Sequence, residues 1–355
     1  MLKQKKLFIA LSIIPQYLVV LWLSKNPDFV ERFYSNGLYI YISKLFRYML
    51  GWLPFSFGDF VYTISIIYIL RWIYKNRKRV IKDTRRWLID VISTFAILYF
   101  AFHLFWGLNY YRLPLHKSLN LKHDYTTEQL VEITKALIKK SNSIHGQLVK
   151  ADTLKVEFPY SKKDIFNKTL DGYNNLKTIF PNLEYHPKSI KKSLFSYPLT
   201  YMGFSGYLNP LTNEAQVDAL IPTIKFPTTS AHEIAHQLGY AAENEANFIG
   251  CLASMNNDDI YFKYCGYTFG LRYCLNEIYK RDEVLFNEIA KTVNKGILKH
   301  YEEVRLFWEA HENPIEPMFK IFYSGYLKAN NQNKGMESYS YVVALLVNYF
   351  ETNNL

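Results

Sequence analysis

The sequence predicts an α+β fold, mostly helical, in which N-terminal transmembrane helices precede one soluble domain carrying a small sheet. Three observations predict it. Apolar residues concentrate in the first hundred of the 355 positions. Helical spacing dominates the rest of the chain, and strand-like alternation is confined to one stretch between Lys188 and Pro222.

The first apolar run, Leu7 to Leu23, is broken only by Ser12 and Gln16 and is long enough to cross a bilayer. It follows Lys3, Lys5 and Lys6, and the SKNPDF stretch after it has no small-residue cleavage site, so it reads as an anchor rather than a signal peptide. Leu38 to Leu53 mixes Lys44 and Arg47 into aromatic residues, which suits an interfacial helix better than a crossing. Phe57 to Tyr74 gives a second span and Trp87 to Gly107 a third. Between them, Lys75 to Arg86 holds seven basic residues and one acidic one. Positive-inside counting puts that loop and the N-terminus in the cytoplasm. Three crossings then send residues 108–355 to the periplasm or cell exterior of a bacterium, leaving 1–107 as the membrane region.

This distribution also disposes of the formal net charge of +11 as a sign of nucleic-acid binding. The expected partner is the lipid bilayer. Cys251, Cys265 and Cys274 are too few and too irregularly spaced for a disulfide framework or a thiolate metal site.

In the soluble part, Thr126 and Gln129 form a capping box before Leu130, Ile133, Leu137 and Ile138. A second helix starts at Ser161 and stops at Pro181. Glu214 to Ile221 alternates as a strand, with Ala215, Val217, Ala219 and Ile221 on one face. After Pro227 the pattern is helical to the C-terminus, and YFKYCGYTFGLRYCLNEIYK, DEVLFNEIAKTVNKGILKHYEEVRLFWEA and YSYVVALLVNYF are the later helix candidates.

Within that region His232, Glu233 and His236 make H-E-x-x-H. On a helix the two imidazoles share a face and can grip one ion, with Glu233 beside a bound water as general base. Pro227 with Thr228, Thr229 and Ser230 supplies a helix start, and Gly239 a stop. A plainer reading has Ser230 and Glu233 as a capping box and the histidines as core residues. Two neutral imidazoles call for an anionic third ligand, and ENEAN, Glu243 to Asn247, follows at once. Glu243 and Glu245 both qualify by type, but about 200° of helix rotation separates them. Asn247, four residues after Glu243, shares its face and could orient a ligand imidazole, which favours Glu243 and leaves Glu245 as the alternative. Tyr201, Tyr207, Arg272, His311 and Tyr339 are all candidate donors to a developing oxyanion, and nothing singles one out.

With these residues in view, the chain resembles the gluzincin branch of zinc metallopeptidases. More closely, WGLNYYRLPL from Trp106, Gly-Tyr-x-Asn-Pro from Gly206 to Pro210, and MESYSYVVALL near the end resemble an uncharacterised bacterial inner-membrane family with a zincin signature. The resemblance implies a zincin-like domain, Zn2+ on His232, His236 and Glu243, Glu233 as base, and a strand edge at Glu214 to Ile221 for an extended peptide. The function expected is a membrane-anchored zinc metallopeptidase acting on a peptide or protein substrate. A non-enzymatic envelope scaffold with a structural zinc site, and a zinc amidase of the cell wall, are the competing readings.

Overall fold

The fold is described from a computed structural model, for residues 2–331 and 341–353. α-Helices of six residues or more are numbered here, leaving the π-helix Val30–Leu38 without a number. Leu2–Leu11 (α1) and Ile13–Ser24 (α2) run nearly continuously and pack against Thr84–Phe105 (α5). Gln4–Ser24 and Thr84–Phe105 are long and apolar enough to cross a membrane. Phe57–Asn76 (α4) is of similar length, with Ile64, Ile67 and Leu70 exposed, but carries Asp59, Arg71 and Lys75. Lys6 and Arg79 both pair with Asp90, at 2.6 and 2.9 Å, so the N-terminus and the basic loop share one end of this helix group.

Tyr39–Leu50 (α3), expected at the lipid interface, is a helix with two different faces. Tyr41, Leu45 and Tyr48 are exposed, while Tyr39, Ser43 and Arg47 are buried against later parts of the chain. Arg47 reaches the Pro187 carbonyl and lies over the Tyr185 ring. A boundary at residue 107 therefore divides in sequence what the fold joins. The positive charge of Arg47 that suggests headgroup contact is satisfied inside the protein instead.

The remaining helices are Thr127–Leu148 (α6), Lys162–Leu176 (α7), Ser196–Tyr201 (α8), Phe226–Gln237 (α9), Glu243–Met255 (α10), Ile260–Arg281 (α11), Glu283–Ala290 (α12), Lys295–Glu309 (α13), Glu316–Ala329 (α14) and Val342–Thr352 (α15). The expected capping box forms between Thr126 and Gln129, and the helix expected to start at Ser161 has one as well, with Asp164. α7 ends four residues before Phe180–Pro181, where the chain makes a separate short turn. Leu130, Leu137, Ile165, Ile234, Leu271 and Leu346 meet in one core, with all three cysteines buried and free.

The sheet has three strands, Ile190–Lys192 (β1), Gly206–Asn209 (β2) and Glu214–Val217 (β3), in the order β1-β3-β2. β3 pairs parallel with β1 and antiparallel with β2. The strand expected to offer an edge is thus the central one and has none to give. All four of its residues are buried, because both of its faces and both of its sides are covered. It also ends at Val217, short of Ala219 and Ile221.

The sheet holds the N-terminal end of α4. The Glu214 carboxylate accepts from the N–H groups of Phe57 and Gly58, where a negative charge suits a helix N-terminus, and pairs with Lys191 at 2.5 Å. Asp59 accepts from the Ser193 hydroxyl, the Leu194 N–H and the Tyr207 hydroxyl.

Candidate metal centre

α9 begins at Phe226 with Pro227 in its first turn, where a missing N–H costs nothing. That start lies a turn before Ser230, whose hydroxyl is buried without a partner. The Ser230 and Glu233 capping box therefore does not form. Glu233 is released for another role.

The helix stops as its glycine requires. Gly239 has φ +92°, its N–H reaches the His236 carbonyl, and the Tyr240 N–H reaches the Ala235 carbonyl. A Cβ at Gly239 would come within 2.9 Å of the Tyr39 ring and 3.0 Å of Asn109 Oδ1. Gly239→Ala is expected to cost about 1–3 kcal/mol and to loosen metal binding with it. A thermal melt read beside zinc content per chain checks this.

The same turn fixes a tautomer. His236 Nδ1 donates to the Tyr240 carbonyl at 2.8 Å, which leaves Nε2 as the free lone pair. Groups from the N-terminal region hold the end of α9: Trp106 donates to the His236 carbonyl, and Tyr39 and Ser43 donate to that of Gln237.

α10 then returns along α9, and the approach is close because residue 250 is glycine. A Cβ there would lie 2.9 Å from the His232 backbone nitrogen. This brings Glu243, the first residue of α10, against the two imidazoles. Its Oε2 lies 3.4 Å from His232 Nε2 and 3.6 Å from His236 Nε2. A charge-assisted hydrogen bond would be shorter, about 2.7–2.9 Å. Ligand atoms on a tetrahedral zinc with bonds of about 2.1 Å stand about 3.4 Å apart. His232, Glu233 and His236 also bring ligand-type atoms within 4.8 Å of one another. The donor set therefore suits a divalent ion held by His232, His236 and Glu243, with Glu233 alongside.

Glu245 goes elsewhere. Its carboxylate accepts from the Leu115 N–H at 2.6 Å beside Arg112, and burial raises its pKa to about 7. Asn247 faces the cavity and acts on His232 to raise its pKa, although His232 Nδ1 and Asn247 Nδ2 are both buried without a hydrogen-bond partner.

The charges are strongly coupled. Burial pushes Glu233 up to about 8, and its Oε2 has no partner. Burial also lowers His232, with the His236 charge adding to it. Burial alone would lower His236 and raise Glu243, but their mutual attraction reverses both: His236 rises to about 9 and Glu243 falls well below the usual carboxylate range.

These groups open on a cavity of about 940 Å3. Of the candidate oxyanion donors, only Tyr207 lines it, and its hydroxyl already donates to Asp59. Tyr201 and His311 pack edge to face on one another, Arg272 is not among the lining residues, and Tyr339 lies outside the described residues. Two lining residues escaped the sequence. Tyr323 donates to Glu243 Oε1 at 2.5 Å, and Lys225, lowered to about 7 by burial, donates to Ser205 Oγ at 2.7 Å. Tyr323 sits on α14, within the stretch read as helical after Pro227 but in none of the helices singled out there. Lys225 carries only the signal of preceding the motif by seven residues, two helical turns. Tyr323→Phe is expected to weaken zinc binding about 10–100-fold, as loss of a partner to a ligand carboxylate does. Competition with a chelating dye measures it.

No curated protein matches the chain, and no solved structure matches it. Residues 34–347 match the model of a family described as "Protein of unknown function (DUF3810)". That stretch begins before α3 and includes both α9 and α10, so the helices that brace the centre and those that form it lie within one matched unit, and the chain belongs to the DUF3810 family of unknown function.

Proposed function

We propose that this protein is a membrane-anchored, zinc-dependent hydrolase, a metallopeptidase in its simplest form, with its site on the outer face of a bacterial inner membrane. The observation that carries this reading is the spacing of the Glu243 oxygen from two imidazole nitrogens, 3.4 and 3.6 Å, beside an unpartnered Glu233 oxygen in a cavity. A structural zinc has four protein ligands, whereas a catalytic one keeps a position open. Three candidate ligands and an adjoining cavity favour hydrolysis over a scaffold.

Bound zinc would supply Lewis acidity, polarising a substrate carbonyl and lowering the pKa of a water to about 7. Glu233 takes a proton from the attacking water and returns it to the departing nitrogen as the C–O bond forms and the C–N bond breaks. A carboxyl group raised by burial suits that double role. β2, an edge strand that lines the cavity with Gly206, Tyr207 and Leu208, offers an extended substrate a pairing partner where β3 does not. The basic end of the membrane helices would lie in the cytoplasm, opposite the site.

Metal analysis of the purified full-length chain, paired with hydrolysis of a peptide library, tests the proposal. One zinc per chain and chelator-sensitive cleavage are expected. Stoichiometric zinc without cleavage of any amide would turn the reading to a structural centre.

A further inference from the structure

The cavity beside the metal centre is not walled by the soluble domain alone. Tyr62 and Ile66 line it, one helical turn apart on α4, and Trp106 and Tyr110 line it just beyond the end of α5. α4 is fixed at its outer end, where Asp59 is bonded to Ser193, Leu194 and Tyr207. Ile66 lies seven residues further, about 10 Å along the helix axis. It is also 53% exposed, and its neighbours Ile67, Ile69 and Leu70 on the same helix are exposed too. One wall of the cavity is therefore continuous with the apolar surface that α4 presents outward.

A second element points the same way. α14 packs through Tyr326 on Phe102 and Tyr110, at the outer end of α5, and holds Tyr323 in the cavity lining. Its Met318, Ile321 and Phe322 are exposed, the last two by 73% and 66%. Beside the outer ends of the apolar helices, such a face suits the acyl boundary of a bilayer.

We infer that the site takes an amphiphilic amide whose acyl chain enters sideways from the bilayer, between α4 and α14, while its amide reaches Glu233. The inference rests on the hydrolase reading and names its substrate class. Size favours a flexible chain over a transmembrane helix: a helix is about 10–12 Å across, so 940 Å3 would hold only a turn or two. An extended acyl chain can bend around Ile66 and occupy the apolar wall without breaking backbone hydrogen bonds.

The test uses full-length Glu233→Gln protein in lipid nanodiscs, so that no turnover occurs. An N-palmitoyl tripeptide amide with a diazirine near the end of its chain is photolysed, and the labelled residues are mapped. Labelling is expected to concentrate at Tyr62, Ile66 and Leu199, to fall at least fivefold with excess unlabelled palmitoyl peptide, and to fall similarly in Ile66→Trp, whose larger ring fills the entry. Ile66→Ala, checked for zinc content beside it, should keep the labelling and so separate blockage from misfolding. Labelling spread over Ile69 and Ile73 in the pattern given by diazirine palmitate alone would overturn the inference. So would displacement by a transmembrane peptide but not by the palmitoyl peptide. Concentrated labelling with no turnover by the wild type would instead count against the hydrolase reading alone.

Discussion

Glu233→Gln is expected to reduce hydrolysis about 10²–10⁴-fold while zinc stays at one per chain. Glutamine keeps the shape and burial of the side chain but cannot accept the water's proton. The carboxyl group is a poor candidate for a purely structural role: one oxygen is buried with no partner, and burial raises its pKa to about 8. A group that only stabilised the fold would be paired. Replacing it by a neutral amide should leave stability unchanged or slightly improved, since a buried carboxylate costs more than a buried amide. Activity and melting temperature thus move in different directions. Equal activity in the variant and the wild type would remove Glu233 from the chemistry.

The second large effect separates two glutamates two residues apart. Glu243→Ala is expected to lower zinc affinity more than about 100-fold, the upper range for losing a mere partner of a ligand, because it removes the anionic member of the proposed ligand set. Glu245→Ala should keep its zinc and lose about 1–3 kcal/mol of stability, because the Leu115 N–H is left without an acceptor in a buried place. Arg112 limits that loss, since it retains its pair with Glu31 at 2.7 Å and its stacking on Tyr240. Zinc content and denaturation curves of both variants decide the matter. Zinc lost from the Glu245 variant and kept by the Glu243 variant would reverse the ligand assignment.

Several elements were legible because their causes are local. The capping boxes at Thr126 and Ser161 need only residues three apart. The stop at Gly239 needs only one residue able to adopt φ +92°. What escaped depended on distant partners. Arg47 reads as a headgroup contact until Tyr185 and Pro187 are seen around it. Glu214 to Ile221 alternates like a half-exposed strand, yet β1 and β2 cover both of its sides. α14 lay in the stretch read as helical but was not singled out, because its exposed face is apolar at Ile321 and Phe322, which blurs the amphipathic pattern.

By itself the sequence determined the mostly helical α+β character, the apolar N-terminal helices, and the placing of His232, Glu233 and His236 on one helix that ends at Gly239, because periodicity and turn chemistry act over a few residues. Only the tertiary structure decided which glutamate meets the imidazoles, which strand beside the cavity keeps a free edge, and which N-terminal helix walls the cavity. Those outcomes arise from the close approach of α10 to α9 at Gly250 and from the docking of α4 on Glu214, contacts between residues too far apart in the chain for any local pattern to record.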